Sequence, residues 1–181
     1  MRGSVAFAGR GGQGLLFAAT VLANTLFRRG LYVAQLQSYG AEVRGGSVLA
    51  YVVFSHEPIE NPFLEGFTLF IALHEAGLAR WRRLAEGSAT VIVDQDLVHS
   101  QVRGAVQAPL SSSVVRAGAP GRENVAALGL VSALGLVEQG AVLDELSRHR
   151  GFEENRIAFE AGYRVGLDLL PKVRGLTGAS P

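Results

Sequence analysis

The residues best placed to do chemistry in this chain are Gly9-Arg10-Gly11-Gly12-Gln13-Gly14. Gly9, Gly11 and Gly14 have the spacing of a dinucleotide fingerprint, set between a short apolar run over residues 5–8 and a helical pattern that begins at Leu15. Glycine lets the backbone take positive φ and lets another group approach closely. A helix that starts just after such a turn presents unpaired N–H groups and the positive end of its dipole. That combination suits a phosphate or a carboxylate. Two readings stay open: Gly9, Gly11, Gly12 and Gly14 form an anion cradle, or they make a tight turn needed for close strand–helix packing. Gln13 either donates its side-chain amide to the same ligand or is a solvated helix residue.

A second polar, glycine-rich segment follows at Gln37-Ser38-Tyr39-Gly40-Ala41-Glu42-Val43-Arg44-Gly45-Gly46. Arg44 is followed by Gly45 and Gly46, which leave its approach open for a bidentate contact with phosphate or carboxylate. The alternative is an ion pair with Glu42 on the same loop. Tyr39 either stacks on a ligand ring or caps the core. Asp94-Gln95-Asp96 has the look of a helix cap or turn rather than a metal site. His56, His74, His99 and His149 share no ligand spacing and read as surface or satisfied histidines. Asn124, near the start of a helical pattern, is expected to satisfy backbone groups, and Ser111-Ser112-Ser113 resembles a cap cluster.

These residues need elements to hold them. Residues 4–8 read as a buried strand, 14–29 as a helix closed by Arg28, Arg29 and Gly30, and 31–36 as a second strand. The strand–helix–strand order predicts a right-handed parallel crossover. Further strands are expected over 47–54, 68–73 and 90–93, with one or two weak ones in 101–109. Helices are expected over 75–84, 122–135, 141–150 and 153–170. The pattern is that of an α/β protein, a three-layer α/β/α sandwich with a Rossmann-like, mostly parallel sheet and a helical C-terminal part. Ligands on such sheets bind beyond the carboxyl ends of the strands, where residues 9–14 and 38–46 both map. They are expected to face one another.

At 181 residues the chain reads as one domain over 1–174, with a disordered tail at 175–181. A net charge of +1 gives no electrostatic case for nucleic acid or an anionic membrane. The absence of Cys excludes disulfides, thiolate zinc sites and any iron–sulfur cluster held by this chain. Apolar stretches stop short of the ~20 residues a membrane span needs, and the first residues do not resemble a signal peptide, so a cytoplasmic location is expected. A nicotinamide enzyme would carry an acid about twenty residues past the glycines, at the end of the second strand, to hold the ribose. That strand ends in Leu36-Gln37-Ser38. A free-standing NAD(P)-binding protein is thereby weakened but stays an alternative, as does a non-catalytic regulatory module.

Together, the Gly-Xaa-Gly-Gly-Gln-Gly turn and Ser-Tyr-Gly-Xaa-Glu-Xaa-Arg-Gly-Gly at 38–46 resemble the gamma subunit of 2-oxoacid:ferredoxin oxidoreductases. Asn124-Val125-Ala126-Ala127-Leu128-Gly129 and Asn155-Arg156-Ile157-Ala158-Phe159-Glu160-Ala161-Gly162 agree with it, and the likeness runs from about residue 3 to 170. Ala41 departs from the pattern, since many members have Pro there. The resemblance implies a complex that oxidatively decarboxylates a 2-oxoacid to an acyl-CoA and CO2 and reduces ferredoxin. It implies that thiamine diphosphate, magnesium and [4Fe–4S] clusters sit on alpha, beta and possibly delta partner subunits. It further implies that this chain, inactive alone, supports CoA binding or subunit assembly through Gly9, Gly11, Gly12, Gln13, Gly14, Glu42, Arg44 and Gly45. No Gly-Asp-Gly segment followed by Asn is present to hold magnesium and diphosphate.

Overall fold

The computed structural model describes residues 2–40 and 46–173. The expected tail at 175–181, and Glu42, Arg44 and Gly45 of the second glycine segment, lie outside the described residues. The elements run in the order β1 (Arg2–Arg10), α1 (Leu15–Arg28), β2 (Tyr32–Tyr39), β3 (Ser47–Ser55), β4 (Leu69–Ala72), α2 (Glu75–Arg80) and α3 (Arg82–Glu86). They continue with β5 (Thr90–Asp94), β6 (Val106–Ala108), α4 (Leu110–Ala117), α5 (Glu123–Ala133), α6 (Gln139–Ser147) and α7 (Phe152–Leu169).

The six strands form one mixed sheet in the order β2-β3-β1-β4-β5-β6. β1, β4, β5 and β6 are mutually parallel, while β3 runs antiparallel to both β1 and β2. The expected crossover is thereby corrected. β2 does run in the direction of β1, with α1 between them in sequence, but β3 is inserted between the two strands. The cause is the short connection over residues 40–46. Parallel neighbours need a crossover of about a dozen residues or more, whereas antiparallel neighbours can be joined by a tight loop. β2 also runs on to Tyr39, so Gln37, Ser38 and Tyr39 belong to the strand.

Alternation along the strands divides the core. Val5, Phe7, Val52, Phe54, Ile71 and Ile92 face a thick helical layer that includes α1, α5 and α7. Ala6, Ala8, Tyr51, Val53, Phe70 and Val93 face a thin layer, where Leu78, Trp81 and Ala85 of the α2–α3 region pack. The single helix expected over 75–84 is broken at Trp81, which serves as C-cap of α2 and N-cap of α3. α4 occupies the stretch read as a cap cluster, with Ser111, Ser112 and Ser113 in its first turn.

The closest helix pair is α5 with α7, and glycines set it. A Cβ on Gly129 would overlap the carbonyl oxygen of Phe159, and one on Gly162 would overlap that of Ala126. These are the last residues of the two helical family motifs. The first residues of the same motifs, Asn124 and Asn155, stand in the first turns of the two helices.

Candidate functional site

The glycine turn begins inside the sheet. Gly9 belongs to β1 and pairs with Val48 of β3. The amide N–H of Gly11 donates to the carbonyl of Gly46 at 2.8 Å, and Gly40 N–H donates to Ser47 at 2.8 Å. One end of the second glycine segment, Gly46, is thus attached to the turn, and the other, Gly40, is attached to the start of β3.

Gln13 closes the turn. Its Oε1 accepts from the Arg10 amide at 2.8 Å, and its Nε2 donates to the Leu73 carbonyl at 3.1 Å. Leu73 in turn donates to Ala8 at 2.7 Å. Both ends of the carboxamide are therefore engaged within the fold, bracing β1 against the exit of β4. Gly9 has no room for a side chain because a Cβ would meet Gln13, and the backbone of Gly9 also lies against Gly77 of α2. Gly12 and Gly14 differ, having φ of 95° and 71°. An L side chain rarely adopts that region, so these two positions favour glycine on backbone grounds. Packing accounts for Gly9, Gly14 lies against the Asn124 side chain, and Gly12 faces open space at the start of α1.

The turn is one wall of a cleft of ≈ 270 Å³, lined also by Phe17, Arg122, Asn124, Arg150 and Asn155. Three helices begin at it: Gly14 is the N-cap of α1, Arg122 of α5 and Gly151 of α7. Asn124 Nδ2 donates to the Gly14 carbonyl at 3.0 Å, which ties α5 to the turn as expected of a residue satisfying backbone groups. Arg122 Nη1 donates to Asn155 Oδ1 at 2.6 Å, and Asn155 is only 2% exposed. Arg122 and Arg150 were not singled out from the sequence. Their only signal there is position, Arg122 opening one helical pattern and Arg150 closing another just ahead of the last.

The remaining candidates have structural partners. Asp94 is fully buried; its carboxylate accepts from the amides of Asp96 (3.0 Å) and Ser111 (3.0 Å) and from the Ser111 hydroxyl. Asp96 accepts from Ser112 N–H at 2.8 Å, so the two acids join the end of β5 to the first turn of α4. Burial, the largest cause, pushes the Asp94 carboxyl above its ordinary value, against the lowering effect of its hydrogen bonds. A raised folded-state value means that the native chain holds this proton more tightly than the unfolded one. Its contribution to stability is therefore present below the unfolded pKa and lost as pH rises through the folded value. The stability of the native chain relative to Asp94→Asn, taken from urea midpoints, should fall as pH rises from about 3.8. A relative gain over that range would contradict the assignment.

His74 Nδ1 accepts from Ala76 N–H at 3.1 Å and caps α2. Glu75 accepts from the amides of His99 (2.7 Å) and Ser100 (3.0 Å) and from the Ser100 hydroxyl, bonds that hold its carboxyl below the ordinary range. His149 is only half-satisfied. Its ring packs edge-on to Phe17, while its buried Nε2 lacks a hydrogen bond and lies 3.6 Å from Glu145. Tyr39 is 59% exposed and does not cap the core. Among the described residues no group of three or more His, Cys, Asp or Glu could hold a metal ion, and no helix is long and apolar enough to cross a membrane.

The arrangement defines a class: an α/β subunit whose two glycine segments and helix amino ends gather at the carboxyl edge of a mixed sheet. It is not the dinucleotide fold, in which the second strand neighbours the first. The chain belongs to the pyruvate ferredoxin/flavodoxin oxidoreductase family, whose model matches residues 4–165, and it is a gamma subunit of the 2-oxoacid:ferredoxin oxidoreductase type. It is 34% identical over 172 residues to 2-oxoglutarate synthase subunit KorC of Archaeoglobus fulgidus, covering 94% of this chain and 91% of that protein. The crystal structure of the keto/oxoacid ferredoxin oxidoreductase gamma subunit from Geobacter sulfurreducens superimposes with a TM-score of 0.79 at 29% identity, covering 93% and 98% of the two chains. The fold also recurs, at 22% identity and a TM-score of 0.79, in 2-oxoglutarate:ferredoxin oxidoreductase from Magnetococcus marinus, covering 91% of this chain and 31% of that longer one.

Proposed function

We propose that this chain serves a complex that oxidatively decarboxylates a 2-oxoacid, captures the acyl group as an acyl-CoA thioester and passes the electrons to ferredoxin. Its part is to engage CoA, to hold the partner subunits in register, or both, through Gly11, Gly12, Gly14 and the segment carrying Glu42, Arg44 and Gly45. The observation that carries this reading is the Gly11–Gly46 hydrogen bond, which brings the two segments to one edge. The Magnetococcus relative was solved with 2-oxoglutarate, coenzyme A and succinyl-CoA bound, which supports CoA as the ligand to test. The KorC relative makes 2-oxoglutarate the first acid to assay.

The chain's own residues do not fit the other cofactors. It has no Cys to hold an iron–sulfur cluster and no Gly-Asp-Gly segment with a following Asn for magnesium and diphosphate. Thiamine diphosphate, magnesium and [4Fe–4S] clusters are accordingly assigned to alpha, beta and delta-type partners, where the cofactor does the difficult chemistry. Affinity purification of the tagged chain from its own cells tests the assignment. Larger subunits carrying thiamine diphosphate and iron should come with it. Recovery of the chain alone, in cells where those subunits are made, would count against it.

A further inference from the structure

We infer that the cleft between the glycine turn and the first turns of α5 and α7 is a binding site for a phosphate or diphosphate group, held by Arg122 and Arg150. Arg122 and Arg150 both line the cleft, and no Asp or Glu does. Among the described residues neither forms an ion pair with a carboxylate. Arg122 is anchored rather than loose. Its Nη1 is fixed at 2.6 Å by the buried carboxamide of Asn155, which leaves its other nitrogens for an oxyanion. An arginine held through one nitrogen keeps the planar fork that matches phosphate geometry. Glu154 approaches the same side of Gly151 as Arg122 but forms no ion pair with it and does not line the cleft.

The backbone adds to this field. The amino ends of α1, α5 and α7 converge here, and none of the three has a side-chain cap hydrogen bond. Their first N–H groups have no carbonyl within the helix to receive them; Glu123 of α5 and Glu153 and Glu154 of α7 stand in the first turns but do not line the cleft. Gly12 and Gly14 place no side chain over that surface. Size decides how much of a ligand enters. Sites for whole drug-sized molecules run about 300–1,000 Å³. A cleft of ≈ 270 Å³ takes the phosphate end, with the rest of the molecule lying across the turn. That the phosphate belongs to CoA rests on the function proposed above; the phosphate site itself does not.

The test uses the full chain, titrated by calorimetry with inorganic pyrophosphate and separately with CoA, each at low salt and at about 0.2 M salt. Arg150→Ala removes an exposed group with no partner among the described residues, and so tests the site without disturbing the Arg122–Asn155 bond. Arg122→Ala is paired with a thermal melt to exclude unfolding. Each substitution should weaken pyrophosphate binding by about tenfold, as loss of one charge-assisted contact would. CoA should compete with pyrophosphate and show the same dependence. Pyrophosphate binding that depends on both arginines but is not displaced by CoA would keep the phosphate site and sink the CoA reading. CoA binding unchanged in both variants would likewise sink the CoA reading, whereas pyrophosphate binding unchanged in both variants would overturn the inference. Absence of pyrophosphate binding to the folded chain would also overturn it.

Discussion

Gly162→Ala should lower the stability of the chain by about 3 kcal/mol or more, enough to lower its melting temperature by roughly 6–12 °C. The added methyl would overlap the carbonyl of Ala126, and the nearest three atoms it meets all belong to the α5 backbone. A flexible side chain could swing aside at little cost; a helix backbone moves only as a whole. Shifting α5 would also disturb Gly129 against Phe159 and Gly166 against Ala133, which share the same crossing. The comparison is Gly140→Ala in α6, where the new methyl meets nothing closer than a Glu138 side-chain oxygen at 3.9 Å. That change should be neutral or stabilising by up to about 1 kcal/mol, from helix propensity alone. Equal melting temperatures for the two variants would contradict the packing argument.

Arg44→Ala should raise the apparent CoA constant of the assembled complex by about tenfold to a hundredfold, if the side chain contacts an anionic group of CoA. The magnitude follows from the loss of one charge-assisted hydrogen bond, on the order of 1.5–3 kcal/mol. Arg44→Lys should recover only part of it, because a point charge cannot reproduce a planar fork. If Arg44 secures a subunit contact instead, the substitution should weaken assembly while the material that stays assembled keeps a normal CoA dependence. Size-exclusion chromatography beside CoA titration separates the two. No change in either would remove Arg44 from the site.

What the sequence made legible is what depends on local pattern. β1, β4 and β5 are short apolar runs bounded by turns, and α1 carries a wide apolar face with Gly30 at φ 82° just past its end. The glycine turn was legible because it follows the apolar run of β1, and Gly46, at the end of the second segment, is bonded to it. The place of β3 was not legible. Its nine residues are buried on both faces, so their composition fits a parallel strand as well as an antiparallel one. Only the shortness of the 40–46 connection carries the direction. α4 was hidden because its first turn is Ser-rich and takes its stabilising acceptors, Asp94 and Asp96, from another element. The cleft was hidden for the same reason on a larger scale. Asn124 reaches Gly14 across 110 positions of sequence, and Arg122 meets Asn155 across 33. Helix starts were readable one at a time, but their convergence is a property of the sheet order and of the glycine contacts between α5 and α7.

As a gamma subunit, this chain is expected to turn over no 2-oxoacid without its partners. Viologen reduction with 2-oxoglutarate and CoA should be measured for the purified chain, for the partner subunits without it, and for the reconstituted complex. Turnover is expected only in the reconstituted complex. Turnover by the chain alone, or equal activity of the partners with and without it, would show that the chain is not a required subunit.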